Sequence, residues 1–234
     1  MLELNQKDRT QRIAELVHEG QKDKADAAYI NHPRRVAQNT FLYLSLDEAR
    51  YSIEDREIAF QAAWLHDVVE DSGSNGFPAV SFLSLAEWGI RPEVIEVVKL
   101  LTKTEKPASA PADDPYYQAI KANELARAVK IADLTDNSNK ERVAKVLELG
   151  VKDESGYYLS ALDFLDLSPL EKEVFKVRID LPTETSDEVW LSKLDPFLVG
   201  TVQRPIIKGR MTFSQLYWLS RQKQVEIDEE RREE

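Results

Sequence analysis

Ala62-Ala63-Trp64-Leu65-His66-Asp67-Val68-Val69-Glu70-Asp71 decides how this chain is read. Its first half belongs to an apolar helix. Ser52 stands before Ile53-Glu54-Asp55, a helix start with a hydroxyl cap and acidic first-turn residues, and Ala59, Ala62, Ala63 and Leu65 carry the helix forward to the His-Asp pair. The polar run Asp71-Ser72-Gly73-Ser74-Asn75-Gly76 then ends it. A histidine followed directly by an aspartate puts nitrogen and oxygen donors at one spot, which suits a borderline or hard divalent metal. Read as one continuous helix, the segment also places Glu70 one turn beyond His66 and Asp67, on their face.

Outward from this stretch, helical periodicity dominates and predicts an all-α fold. Arg12 to His18 is amphipathic, and Gly20 to Ala28 reads as a loop. Pro33 suits the first turn of the next helix, with His32 just before it. Ser81 to Trp88 and Pro92 to Leu101 are two further helices, and Pro107 to Pro115 reads as a flexible loop. Tyr116 to Ala132 reads as one long helix running into Asp133; Asn139 to Leu149 and Gly156 to Leu165 follow. Beyond about residue 168 the pattern weakens. Ile179 to Pro182 and Val199 to Ile207 have mixed character that allows a short β-hairpin, Met211 to Val225 is amphipathic, and the charged tail after it reads as solvated. The division expected is 1–168 as one domain and 169–234 as an extension that packs on it or forms an oligomer contact such as a homodimer.

Composition narrows the function classes. The chain has 234 residues, 42% hydrophobic and 31% charged, an ordinary soluble balance. No run of eighteen apolar residues is present, so no membrane span is expected. Without cysteine there are no disulfides and no thiolate metal sites, which fits a cytoplasmic protein. A net charge of −11 and a pI near 4.9 argue against nucleic-acid binding, which needs clustered Lys and Arg. An anionic small molecule can still bind where a metal and a few basic residues supply a positive field.

Three more positions join the His-Asp pair. His32 opens a helix, where a lone histidine is more often a cap than a ligand. Asp133 follows the apolar run Val129 to Ala132 on a buried helix, and an unpartnered buried carboxylate costs several kcal/mol, so it needs a cation, an arginine or dense hydrogen bonding. Asn137 lies one turn later on the same face. Glu70 and Asp71 read either as a solvated helix end or as carboxylates that orient or deprotonate water near a metal.

Together, Tyr29-Ile30-Asn31-His32-Pro33-Arg34-Arg35, Leu65-His66-Asp67-Val68-Val69-Glu70-Asp71, Val98 to Lys103 and Val129 to Asn137 resemble the HD-domain metal phosphohydrolases, more narrowly the hydrolase domain of RelA/SpoT-type enzymes and the small alarmone hydrolases. The resemblance covers roughly residues 8–168. It implies a helical bundle around a single metal, commonly manganese, with His32, His66, Asp67 and Asp133 as ligands. Glu70 and Asp71 then support catalysis, and Asn137 helps hold the substrate. The implied reaction is hydrolysis of the 3′-pyrophosphate of guanosine tetra- or pentaphosphate.

The chain departs from that family in one loop. Asp23 stands where the family carries an arginine that packs on the base, while the following lysine is kept as Lys24. A carboxylate cannot stack as a guanidinium does, and its charge is expected to repel phosphates. Lys24, Lys103 and Lys130 are the basic candidates for substrate phosphates; Lys99 reads as a surface lysine. The competing readings are another HD nucleotide phosphohydrolase, acting on an adenine alarmone, NADPH or a nucleoside monophosphate, and a nucleotide sensor without turnover.

Overall fold

In a computed structural model, the described residues are 6–185 apart from 46–49, 74–75, 105–109 and 153, together with 189 and 193. They form eleven α-helices: α1 (Gln6–Val17), α2 (Asn31–Ser45), α3 (Ile53–Leu65), α4 (Val68–Asp71), α5 (Phe82–Glu87), α6 (Pro92–Leu101), α7 (Pro115–Ala122), α8 (Glu124–Asn137), α9 (Lys140–Glu148), α10 (Ser155–Leu165) and α11 (Pro169–Asp180). No strand occurs among the described residues, only a single antiparallel bridge between Lys22 and Ala28 in the loop before α2. The fold is all-α.

α2, α3 and α8 pack against one another and make the centre of the molecule. The sequence reason is residue size. Ala59, Ala62 and Ala63 on α3 and Ala132 on α8 are fully buried, and such short side chains let helix axes approach closely. Phe41, Leu42 and Leu44 of α2, Leu65 of α3 and Val129, Ile131 and Leu134 of α8 fill the remaining space. Phe41 and Phe60 meet edge to face, with ring centroids 6.1 Å apart. α1 lies on α3, α6 packs on both α3 and α8, and α7, α10 and α11 cover the rest of α8.

Helix ends follow local chemistry. Ser52 and Asp55 form a reciprocal capping box at the start of α3, Ser81 and Ser84 do the same for α5, and Pro92 begins α6. Outside the His-Asp segment the structure departs from the sequence reading in three places. The expected helix over 116–132 is two helices, because Asn123 takes an extended backbone and its side chain accepts from Ala126 N (2.9 Å), starting α8 afresh. The segment expected to be loose before it is partly ordered: Pro111–Asp113 form one turn of 3-10 helix, Pro111 is buried, and Asp114 caps α7. Beyond residue 168, Ser168 and Glu171 build a capping box for α11, which runs through Ile179 and Asp180, where the sequence allowed a short hairpin.

That last helix is fastened to the body. Arg127 of α8 grips Glu171 with two nitrogens (2.7 and 2.9 Å), Val174 is fully buried, and Asn139 Nδ2 donates to the carbonyls of Arg178 (2.9 Å) and Leu181 (2.8 Å). The expectations for Val199–Ile207 and Met211–Val225 fall outside the described residues. Among the described residues no helix is long and apolar enough to cross a membrane.

Candidate functional site

The central helices bring three predicted ligands, His32, His66 and Asp133, to one point, with the fourth, Asp67, against the two histidines but outside that mutual group. α2 contributes His32 in its first turn, the end of α3 contributes His66 and Asp67, and α8 contributes Asp133. His32 Nε2 lies 3.2 Å from Asp133 Oδ1 and 3.7 Å from Asp67 Oδ2. His66 Nε2 lies 2.9 Å from Asp67 Oδ2 and 4.0 Å from Asp133 Oδ1. His32, His66 and Asp133 form a buried group whose donor atoms all lie within 4.8 Å of one another.

The helix does not run continuously through the pair. α3 stops at Leu65, His66 is its C-cap, and Asp67 sits at φ −102°, ψ −5° before the short α4. This break corrects the expectation of an unbroken helix to Asp71. It turns Asp67 toward the turn before α2, where Tyr29 OH donates to Asp67 Oδ2 (2.6 Å).

Each imidazole is held by its far nitrogen. His66 Nδ1 donates to the Ala63 carbonyl (2.7 Å), and His32 Nδ1 donates to Asp136 Oδ2 (2.7 Å). Fixing the hydrogen on Nδ1 presents Nε2 as the coordinating atom. His66 Nε2 is buried and makes no hydrogen bond among the described residues, an orphaned acceptor of the kind that a cation satisfies. Two imidazole nitrogens and the Asp133 carboxylate therefore fit a divalent metal, with the Asp67 carboxylate beside the His66 nitrogen.

Electrostatics reinforce the cluster. Burial raises the Asp133 carboxyl, but Lys130 and the two histidines outweigh it and hold it well below the usual carboxylate range. Burial likewise opposes ionisation of Asp67, and His66 and His32 overcome it. Burial lowers His66, yet Asp67 and Asp133 reverse this and push it up to about 9. Such mutual support between anions and imidazoles is the pattern of a site that expects positive charge.

The other predicted residues are distributed around a cavity of about 360 Å³ that includes Asp67 and Asp133 in its wall. Lys130 points inward, not to the surface: its Nζ is 2.6 Å from Asp133 Oδ2, and the residue is buried. Asn137 Nδ2 donates to Asp133 Oδ1 (2.6 Å), so the two oxygens of that carboxylate are steadied from opposite sides. Lys103 Nζ lies 5.4 Å from the Tyr116 ring centre and Lys130 Nζ 5.6 Å from it, so one aromatic face supports both cations. Burial and the neighbouring Lys130 lower Lys103. Glu70 accepts from the Lys103 backbone amide, and burial raises its carboxyl. Asp71 Oδ2 accepts from Gln21 Nε2 (2.9 Å). Lys24 also lines the cavity and pairs with Glu154. Lys99 pairs with Glu96 on the surface.

Three functional residues escaped the sequence reading. Asp136 is almost fully buried and takes three partners: His32 Nδ1, Arg35 through Nε (2.6 Å) and Nη2 (3.0 Å), and Arg142 Nη1 (3.2 Å). Tyr29 secures Asp67, as above. Arg142, from α9, reaches Asn137 Oδ1 (2.7 Å) and Asp23 Oδ2 (3.3 Å). A signal existed for Asp136 alone: it sits three residues after Asp133, as Arg35 sits three after His32, so the same helix pair that joins the ligands joins these two. The expectation for Asp23 is corrected here as well. Its Oδ1 accepts from the Ala25 and Ala27 amides (both 2.9 Å), its Oδ2 faces Arg142, and only 3% of its side chain is exposed. The charge expected to repel phosphate is neutralised within the protein.

Residues 29–138 match the family model described as HD domain. The match begins at Tyr29, ends just after Asn137, and contains His32, His66, Asp67 and Asp133. No curated protein matches the chain. The match to that model over these residues, together with the buried His-Asp cluster, supports a metal-dependent phosphohydrolase.

Proposed function

We propose that this chain is a manganese-dependent hydrolase that removes the 3′-pyrophosphate from guanosine tetra- or pentaphosphate, with His32, His66, Asp67 and Asp133 as the metal ligands. The observation that carries the reading is the pair of imidazoles whose Nδ1 atoms are both occupied, leaving Nε2 of each against the same two carboxylates. A divalent cation held by these four residues supplies Lewis-acid stabilisation of phosphoryl charge and acidifies water.

The chain's own residues do the rest. Glu70 has one carboxylate oxygen tied to the Lys103 amide, which leaves Oε2 to take a proton from the attacking water. Its raised affinity for a proton suits that task near neutral pH. Asp71, held by Gln21, fixes the loop wall beside it. Lys103 and Lys130 offset negative charge on the departing pyrophosphate, and Tyr116 keeps them in place. Asn137 and Lys24, also in the cavity wall, hold the nucleotide. Asp136 and Tyr29 are positioning residues that act through His32 and Asp67.

The test is a manganese-supplemented substrate panel of guanosine and adenosine alarmones, NADPH and nucleoside monophosphates. Release of pyrophosphate from guanosine tetraphosphate, lost on chelation, is the expected result. Unchanged turnover in a metal-free preparation overturns the metal mechanism, and turnover confined to another member of the panel overturns the guanosine assignment.

A further inference from the structure

Two of the chain's three histidines enter the buried His-Asp cluster; the third, His18, does not. It follows directly on α1, is 2% exposed, and stands behind the main cavity, whose wall includes Gln21, Tyr29, Asp67 and Asp71. The chain turns back just after it. Gly20 takes the left-handed conformation (φ +74°), and Gln21 N donates to the His18 carbonyl (3.1 Å). This turn brings the two side chains together, with His18 Nδ1 2.7 Å from Gln21 Oε1. Gln21 Nε2 donates in turn to Asp71 Oδ2 (2.9 Å), on the short α4 against which α1 packs. The His18 ring also lies against Tyr29, with centroids 4.7 Å apart and planes at 33°, and Tyr29 OH donates to Asp67 Oδ2. One buried imidazole therefore stands behind two carboxylates of the site.

A row of imidazole, amide and carboxyl can run with either polarity. In one, His18 Nδ1–H donates to the amide oxygen and the amide nitrogen donates to a carboxylate, which only accepts. In the other, a carboxyl hydrogen goes to the amide oxygen and the amide nitrogen donates to a bare Nδ1, which moves the imidazole hydrogen to Nε2. The surroundings of His18 select the first. Its Nε2 is buried and has no hydrogen-bond partner among the described residues. A bare nitrogen there leaves one acceptor unused, whereas a hydrogen there strands a buried donor, the rarer and costlier fault. Burial also lowers the basicity of His18, which holds the ring to a single hydrogen.

We propose that His18 is a positioning residue for Asp71: by donating from Nδ1 it fixes the direction of the His18–Gln21–Asp71 row, so that Asp71 meets the cavity as a held acceptor beside Glu70. Its ring braces Tyr29, and through it Asp67, in the same stroke. The reading rests on the proposed phosphohydrolase site, and it gives the third histidine a role that neither binds metal nor touches substrate.

Nitrogen NMR of the full chain, labelled at its histidines, reads the row without any substrate. His18 is expected as the neutral Nδ1–H tautomer, and Gln21→Met is expected to shift its Nδ1 signal while leaving His66 in place. An Nε2–H tautomer overturns the proposal. Turnover of whichever nucleotide the manganese panel identifies reads the consequence. His18→Phe keeps a ring on Tyr29 and removes the donor; kcat is expected to fall about fivefold, as for one lost hydrogen bond, with KM changed less than about twofold. His18→Asn, whose amide nitrogen takes the place of Nδ1, is expected to restore most of kcat, and His18→Gln, whose amide reaches the Nε2 position, is not. Gln21→Met, at a half-buried position that tests the row even where His18→Phe fails to fold, is expected to match His18→Phe, and the double variant to lose no more. Equal recovery with Asn and Gln, or a loss carried by KM or by manganese affinity, overturns the proposal, because His18 then serves only to pack α1. Unchanged kcat in His18→Phe or Gln21→Met overturns it as well. If the wild type turns over nothing in the panel, the phosphohydrolase reading fails, and the tautomer with its response to Gln21→Met still decides the row.

Discussion

The two walls of the cleft are built on opposite terms. The wall that carries the His-Asp cluster belongs to α2, α3 and α8, where alanines and leucines are fully buried and each proposed ligand is braced by a second residue. The facing wall rests on α9, which fully buries no apolar side chain and leaves Leu147 53% exposed. It is held mainly by Arg142, Asn139 and the contact with α11. The contrast teaches a division of labour. Metal chemistry needs positions fixed to a fraction of an ångström, which a close-packed core provides. Discrimination among ligands needs reach and charge, which a polar, lightly packed helix can change without endangering the fold.

Substitutions that break this comparison have graded effects. The largest is expected at the ligands: His66→Ala or Asp67→Ala reduces turnover by about a thousandfold or more, measured as pyrophosphate release with saturating manganese. Next is the core that carries them. Leu65→Ala is expected to cost about 3 kcal/mol in denaturant unfolding, from lost burial plus a cavity. Asp136→Asn touches no ligand atom of the cluster, yet it removes the carboxylate that orients His32, and manganese affinity is expected to drop about 10–100-fold. The metal site is also expected to respond to pH. His66 is pushed up to about 9, so below that value a proton occupies the metal-free site and a cation must displace it. Apparent manganese affinity therefore falls as pH falls, approaching about tenfold per unit, a slope that titrations at two pH values measure. The smallest effect is on the other wall: Leu147→Ala changes stability by less than about 0.5 kcal/mol. A loss at Leu147 comparable to that at Leu65 would erase the distinction between the walls.

How much of this was readable from the chain depends on range. Ser52, Ser81 and Pro92 announce their helices because caps and N-terminal prolines act within four residues. The meeting of His32, His66, Asp67 and Asp133 was legible only through the resemblance, since nothing local joins His32 to Asp133 across a hundred residues. Asn123 was misread because asparagine is tolerated inside helices as well as at their starts, and only its bond to Ala126 N decides the matter. α11 was missed because its apolar face is narrow, with Val174 fully buried and Arg178 nearly so. Arg142 could not be found at all: its partners Asp23 and Asp136 carry no pattern linking them to α9 until the fold brings all three together.

The two imidazoles differ in what steadies them, and this sets which half of the site can be tuned. His66 leans on the Ala63 carbonyl, a main-chain atom present whatever residue occupies that position. His32 leans on Asp136, a side chain shared with two arginines. The orientation of one imidazole is therefore written into the backbone, and that of the other is open to substitution. Exchanges at 136, 35 and 142 form a dial for metal preference that leaves the His-Asp pair itself untouched.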